Sequence, residues 1–165
     1  MKIDLMQLKL MHPLLPASTA TEYAHRAAVG LEWKNHMPGV ALATWIEDES
    51  PEASLHWVRS RAGDVEQLDR HRITEDAAEA VALALVHVAR GWVVRRRLQR
   101  GEFADWLLHD PEARLVALEV SGVGDGEEAG RLRMKLEQVR RATIAERRAA
   151  CVIELEAPRA RLAMA

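Results

Sequence analysis

Two acids, Asp105 and Glu119, stand in segments that otherwise read as strands, on either side of the tight turn Asp110-Pro111-Glu112. Period-2 alternation puts Phe103, Asp105 and Leu107 on one face of the first strand, and Ala117, Glu119 and Ser121 on one face of the second. A hairpin centred on Glu112 sets position 105 opposite position 119. Cβ atoms of such a pair lie roughly 5 Å apart, and two like charges at that range are destabilising unless a cation or a proton sits between them. Paired carboxylates with a nearby cation are also what metal-dependent phosphodiester cleavage requires, with Mg²⁺ or Mn²⁺ between them. The plainer alternative makes Asp105 an exposed strand-edge residue and pairs Glu119 with an arginine such as Arg114 or Arg131.

The elements that position this pair are legible mainly in the second half. Thr74 reads as an N-cap with Glu75 and Asp76 in the first turn, and Ala78, Val81, Leu85 and Val88 follow helical spacing up to Gly91. Strands are expected over Trp92–Leu98, Phe103–His109 and Leu115–Ser121, then a loop, GVGDGEEAG. A helix over about 130–147 keeps Leu132, Leu136, Val139 and Ile144 inward, and Cys151–Leu155 is a last strand ended by Pro158. Residues 74–156 thus spell αβββαβ. Ahead of them come a short strand within 3–10 and a helix over about 20–29, opened by the Thr19/Glu22 capping box and stopped near Gly30. A hairpin of Val40–Ile46 and Ala53–Val58 follows, then a polar loop over 60–73. The expectation is one α/β (α+β) domain, with a 1–73 extension and a 74–158 core.

This order resembles the core of the PD-(D/E)XK nuclease superfamily. The stretch GEFADWLLHDPEARLVALEVSG, with RLRMKLEQ and CVIELEAP after it, is similar to small bacterial proteins of that arrangement. The resemblance covers about residues 74–158. It implies a restriction-endonuclease-like fold, Asp105 and Glu119 as ligands of Mg²⁺ or Mn²⁺, and action on DNA or RNA. The superfamily pattern places a lysine two positions after the third-strand acid, where this chain has Ser121. Some members carry that lysine on the following helix, where Lys135 stands, one of only four lysines in the chain. Gln138, three residues on, is similar to the glutamine of the RecB-like branch. Glu79 on the first helix matches the extra acid, a further metal ligand, that many members place there. The departure at Ser121 also implies a second reading, a catalytically inactive nuclease-fold subunit that mediates protein–protein assembly in a larger bacterial complex.

Composition bounds these readings. At 165 residues, 48% apolar and 29% charged, the chain builds one core and is not a disordered polymer. Its net charge of −2 excludes a polycation of the histone kind, although residues 1–89 hold 8 basic against 13 acidic side chains and residues 90–165 hold 15 against 12. The arginines of the second half make Arg95, Arg96, Arg97, Arg131 and Arg133 candidate phosphate contacts, and the asymmetry also suits docking to a protein partner or self-association. The single cysteine, Cys151, excludes an internal disulfide framework. No apolar run is long enough for a bilayer and no signal-peptide pattern is present, so no membrane partner and a cytoplasmic location are expected. Gly122, Gly124 and Gly126 do not make a dinucleotide loop, because the third glycine is misplaced and Asp125, Glu127 and Glu128 would repel a pyrophosphate. The histidines lack zinc-hydrolase spacing, and the five tryptophans read as core.

Overall fold

A computed structural model describes residues 1–61, 69–123 and 126–165. The fold is mixed α/β: the strands among the described residues join in one eight-stranded sheet. They are β1 (Lys2–Asp4), β2 (Val40–Ile46), β3 (Ala53–His56), β4 (Val93–Arg97), β5 (Trp106–His109), β6 (Leu115–Val123), β7 (Arg147–Glu154) and β8 (Arg159–Met164), in spatial order β1-β3-β2-β8-β7-β6-β5-β4. The helices among the described residues are the one-turn α1 (Leu8–Met11), α2 (Ala17–Trp33), α3 (Arg70–Arg90) and α4 (Glu128–Val139). None is long and apolar enough to cross a membrane.

Helix α3 is the central post. From Ala77 to Val86 its apolar residues are buried all round, the signature of a helix enclosed on every side. The sheet packs on one side of it and α2 on the other. Two glycines permit that approach. A Cβ on Gly30 of α2 would lie 3.1 Å from Ile73 Cγ2, and one on Gly122 of β6 would lie 2.9 Å from the Thr74 carbonyl oxygen. The opposite face of the sheet carries α4 over β6, β7 and β8. Alternation then sorts side chains between two cores: Trp106, Leu108, Val116, Leu118 and Val120 join the large one, while Leu107 and Ala117 join Val139, Ala142 and Ala145 in the small one.

The order helix, three strands, helix, strand is present, and both strands of the 40–58 hairpin pair antiparallel, Val40 opposite Leu55. Several boundaries differ from expectation. Helix α2 starts at Ala17 after Pro16 and runs through Gly30, since that glycine serves close packing rather than termination. Helix α3 begins four residues before Thr74, because Asp69 accepts the N–H groups of His71 and Arg72 and so provides the cap. Of the expected 60–73 loop, residues 62–68 lie outside the described residues, as do 124 and 125 of the glycine-rich loop. Helix α4 stops at Val139, leaving Ile144 exposed. Phe103 adopts φ 61° in a turn, so β5 is shorter than the segment suggested. In place of a strand within 3–10 there is a three-residue strand, Lys2–Asp4, and then helical turns. Strand β8 was not anticipated. It lies antiparallel to β7 and parallel to β2, and through it the N-terminal hairpin becomes part of the core sheet.

His12 ties the N-terminal turn to that sheet. Fully buried, it accepts the Val94 N–H at Nδ1 (3.2 Å) and meets the Leu83 carbonyl through Nε2 (3.1 Å), which requires the neutral Nε2–H form. Burial, with His87 adding, lowers its pKa to about 4. The imidazole must gain a proton before or on unfolding in acid, so stability is full above pH 6.5 and falls as pH drops towards 4. Urea unfolding of wild type and His12→Ala at a series of pH values should show this slope as a difference between the two, the variant costing about 2–4 kcal/mol at neutral pH and less as pH falls towards 4. An unchanged slope in the variant would contradict the buried neutral imidazole.

Candidate active site

Asp110 fixes the geometry of the hairpin that carries the paired acids. Its side chain is 1% exposed and accepts the backbone N–H groups of Glu112 (3.0 Å) and Arg114 (2.9 Å), Arg114 Nε (2.7 Å) and Arg147 Nη1 (3.1 Å). Burial opposes its charge, but Arg114 and Arg147 outweigh it and hold the carboxyl at about 2. With that turn in place β5 and β6 pair Trp106 with Leu118 and Leu107 with Ala117, a register that continues to Asp105 opposite Glu119. Asp105 sits just ahead of β5, its N–H on the Leu118 carbonyl at 3.1 Å and its Oδ2 accepting the Val120 N–H at 2.8 Å.

Glu119 is 3% exposed and faces the small core side, under α4. Two side chains from α4 converge on its Oε1, Lys135 Nζ at 2.5 Å and Gln138 Nε2 at 2.8 Å. Lys135 also donates to Gln138 Oε1 at 3.3 Å. These two stand three apart, one helical turn, so they reach the same point. Burial is the largest influence on Glu119, and the charge of Asp105 and a hydrogen bond with it add to the same effect. Together they outweigh Lys135 and raise the Glu119 pKa well above the ordinary carboxylate range. The two acids therefore do oppose each other in space and in charge.

Asp105, Glu119, Ser121, Lys135 and Arg131 line one cavity of about 650 Å³, where the first half of α3, the end of β6 and α4 meet. Glu79 and Arg97 line it from the α3 side. Glu79 is 8% exposed, and burial, with Asp105 adding and Arg97 opposing, raises it to about 7. Ser121 Oγ donates to its neighbour's carbonyl, Gly122 O, at 3.3 Å. The other arginines expected to meet phosphate are elsewhere: Arg95 and Arg133 are exposed outside the cavity lining, and Arg96 grips Glu102 through both terminal nitrogens. A run of arginines on β4, an edge strand, also guards that edge against pairing with another chain.

Among the described residues no three His, Cys, Asp or Glu side chains gather into a metal cage. Trp106, read as core from sequence, is in the core, and together with Tyr23 it holds the cavity's polar wall from behind: Trp106 Nε1 donates to Glu79 and Arg97 donates to the Tyr23 hydroxyl. The position of Trp106 directly after Asp105 was the one available signal, since alternation turns it towards the helix that bears Glu79. Nothing in the local sequence around Tyr23 pointed there. Compared with known proteins, the chain matches no family model, no curated protein and no solved structure.

The raised Glu119 carboxyl has a measurable consequence. A folded-state pKa above the ordinary 4.5 means that stability is full below that value and falls as pH rises through the folded pKa. Chemical unfolding in EDTA between pH 6.5 and 8, above the range in which His12 acts in the opposite sense, should show this fall. Glu119→Gln and Asp105→Asn should each flatten it; a slope indifferent to both would mean the carboxylates do not interact.

Proposed function

We propose that this protein is a metal-dependent nuclease, or a nuclease-like protein, acting on phosphodiester bonds of DNA or RNA through a restriction-endonuclease-like core. The observation that carries the reading is the convergence of Asp105, Lys135 and Gln138 on the buried Glu119 carboxylate at the wall of an open polar cavity. Opposed carboxylates are an oxygen donor set that suits Mg²⁺ or Mn²⁺, and Mg²⁺ keeps several waters rather than needing an all-protein cage. The absence of a three-residue cage among the described residues is compatible with an ion held by Asp105 and Glu119.

In this reading Asp105 and Glu119 hold the ion, which when bound would supply Lewis-acid charge and an acidified water. Asp105 is positioned by the Val120 N–H, which donates to its Oδ2, and its carboxyl shares a hydrogen bond with Glu119 whose place a bound ion would take. Lys135 takes the place of the lysine missing at Ser121. Its ammonium stands one hydrogen bond from Glu119 and offsets charge that builds on a phosphate in the cavity. Gln138 keeps Lys135 and Glu119 in register. The same contacts support the second reading, an inactive assembly subunit, because Lys135 already neutralises Glu119.

Cleavage of single- and double-stranded DNA and RNA in Mg²⁺, Mn²⁺ and EDTA separates the two. An active nuclease cuts only with metal, loses all detectable activity in Glu119→Ala, and loses about 10²–10³-fold in Lys135→Met with metal affinity retained. A folded protein that binds neither ion and cuts none of these substrates would be the inactive subunit. Equal cleavage by wild type and Glu119→Ala would sink the assignment of the site.

A further inference from the structure

Glu79 stands in the cavity wall with both carboxylate oxygens engaged, Oε1 by Arg97 Nη2 at 3.0 Å and Oε2 by Trp106 Nε1. An acid used in this way has little left to offer a metal ion. Its partner is differently placed: the Arg97 side chain is 52% exposed while that of Glu79 is 10% exposed, so the carboxylate lies behind and the guanidinium meets the cavity.

Arg97 is also held from two other directions. Its Nη1 donates to the Tyr23 hydroxyl on α2, and its guanidinium carbon lies 5.1 Å from the centre of the Trp106 ring. Tyr23 in turn meets Trp106 edge-on, with centroids 6.3 Å apart. Of the five N–H groups of a guanidinium, Tyr23 and Glu79 use two among the described residues. A planar fork fixed in advance, with donors to spare and water in front of it, is suited to two adjacent oxygens of a phosphate. We propose that Arg97 is the phosphate-binding residue of the cavity, that it takes a backbone phosphodiester of nucleic acid, and that Glu79, Tyr23 and Trp106 are positioning residues that aim it. Glu79 is then not a metal ligand, contrary to what the superfamily resemblance implies. The inference rests on the nuclease reading for its ligand, while the aimed arginine stands on its own contacts.

The test measures binding apart from cleavage. Anisotropy of a short labelled oligonucleotide, single-stranded and duplex, is recorded in EDTA over a salt series, with a nucleoside monophosphate and inorganic phosphate as competitors. Arg97→Gln should weaken binding about tenfold or more and lower the slope of log K against log salt by about one contact, roughly 0.7–0.9. Arg97→Lys should not restore it, because the fork is lost. Tyr23→Phe, which removes only a hydroxyl, should cost about 3–10-fold, the scale of one lost hydrogen bond. Calorimetric Mn²⁺ affinity should be unchanged in Glu79→Gln and lost in Glu119→Gln. An unchanged salt slope in Arg97→Gln overturns the proposal, as does loss of Mn²⁺ affinity in Glu79→Gln that remains folded by thermal melting. No binding of any of the three phosphate probes by the wild type also overturns it. Direct calorimetric binding of the small phosphates that is lost in Arg97→Gln, with no oligonucleotide binding, keeps the arginine site and removes the nucleic-acid reading instead.

Discussion

A carboxylate withdrawn from water has to be answered by donors, and at the β5–β6 turn Asp110 is answered by four of them. The energetic force of that arrangement is positional. A carboxylate that is 1% exposed needs these donors to stay charged, so the turn is held in the one arrangement that presents two backbone N–H groups and two guanidinium groups to it. Because the pairing of β5 with β6 starts from this point, every later pair along the hairpin inherits its register. A slip of one residue would turn Glu119 into the large apolar core and Leu118 out of it. The opposition of Asp105 and Glu119 is therefore paid for some distance away, at the far end of the hairpin.

The cavity gathers groups from opposite sides of one sheet. Glu119 looks towards α4, where Lys135 and Gln138 meet it, while Trp106 looks towards α3, where Glu79 meets its indole. At the sheet's end these two environments are near enough for Asp105 to act on the charge of both Glu79 and Glu119. Two glutamates with raised pKa values thus share a neighbour but differ in company. Glu119 has flexible donors from a helix that is exposed on its outer side, and Glu79 has an indole and a guanidinium stacked on each other. The first is suited to exchange partners and the second to stay as it is.

How far the sequence revealed this depended on the range of the interaction involved. Period-2 alternation and a centred turn were enough to face Asp105 with Glu119, because both are local properties of one hairpin. Lys135 and Gln138 were singled out by the resemblance to the nuclease superfamily, and the single helical turn between them is why both reach Glu119. Helix starts were misjudged where two residues competed to cap: Asp69, not Thr74, accepts the first N–H groups of α3. Gly30 resembled a stop signal but is an inter-helix contact, which only the path of α3 explains. Tyr23 was out of reach for the same reason, since its meeting with Arg97 spans 74 residues of chain and depends on how α2 lies against the rest. Strand β8 was hidden by Pro158, which marks a break but does not say that the chain turns back.

That returning strand links the molecule's halves in time as well as in space. β2 and β3 adjoin in sequence and pair locally, but the other neighbour of β2, β8, begins more than a hundred residues later, with Ala43 opposite Arg159. A growing chain holds the N-terminal hairpin with one edge unsatisfied until those residues emerge, and the closing contact bears a large loop-entropy cost. Parallel pairing adds to the delay, because no tight turn can bring the two strands together. The N-terminal third is therefore a waiting partner during synthesis, an exposed strand edge whose protection comes last.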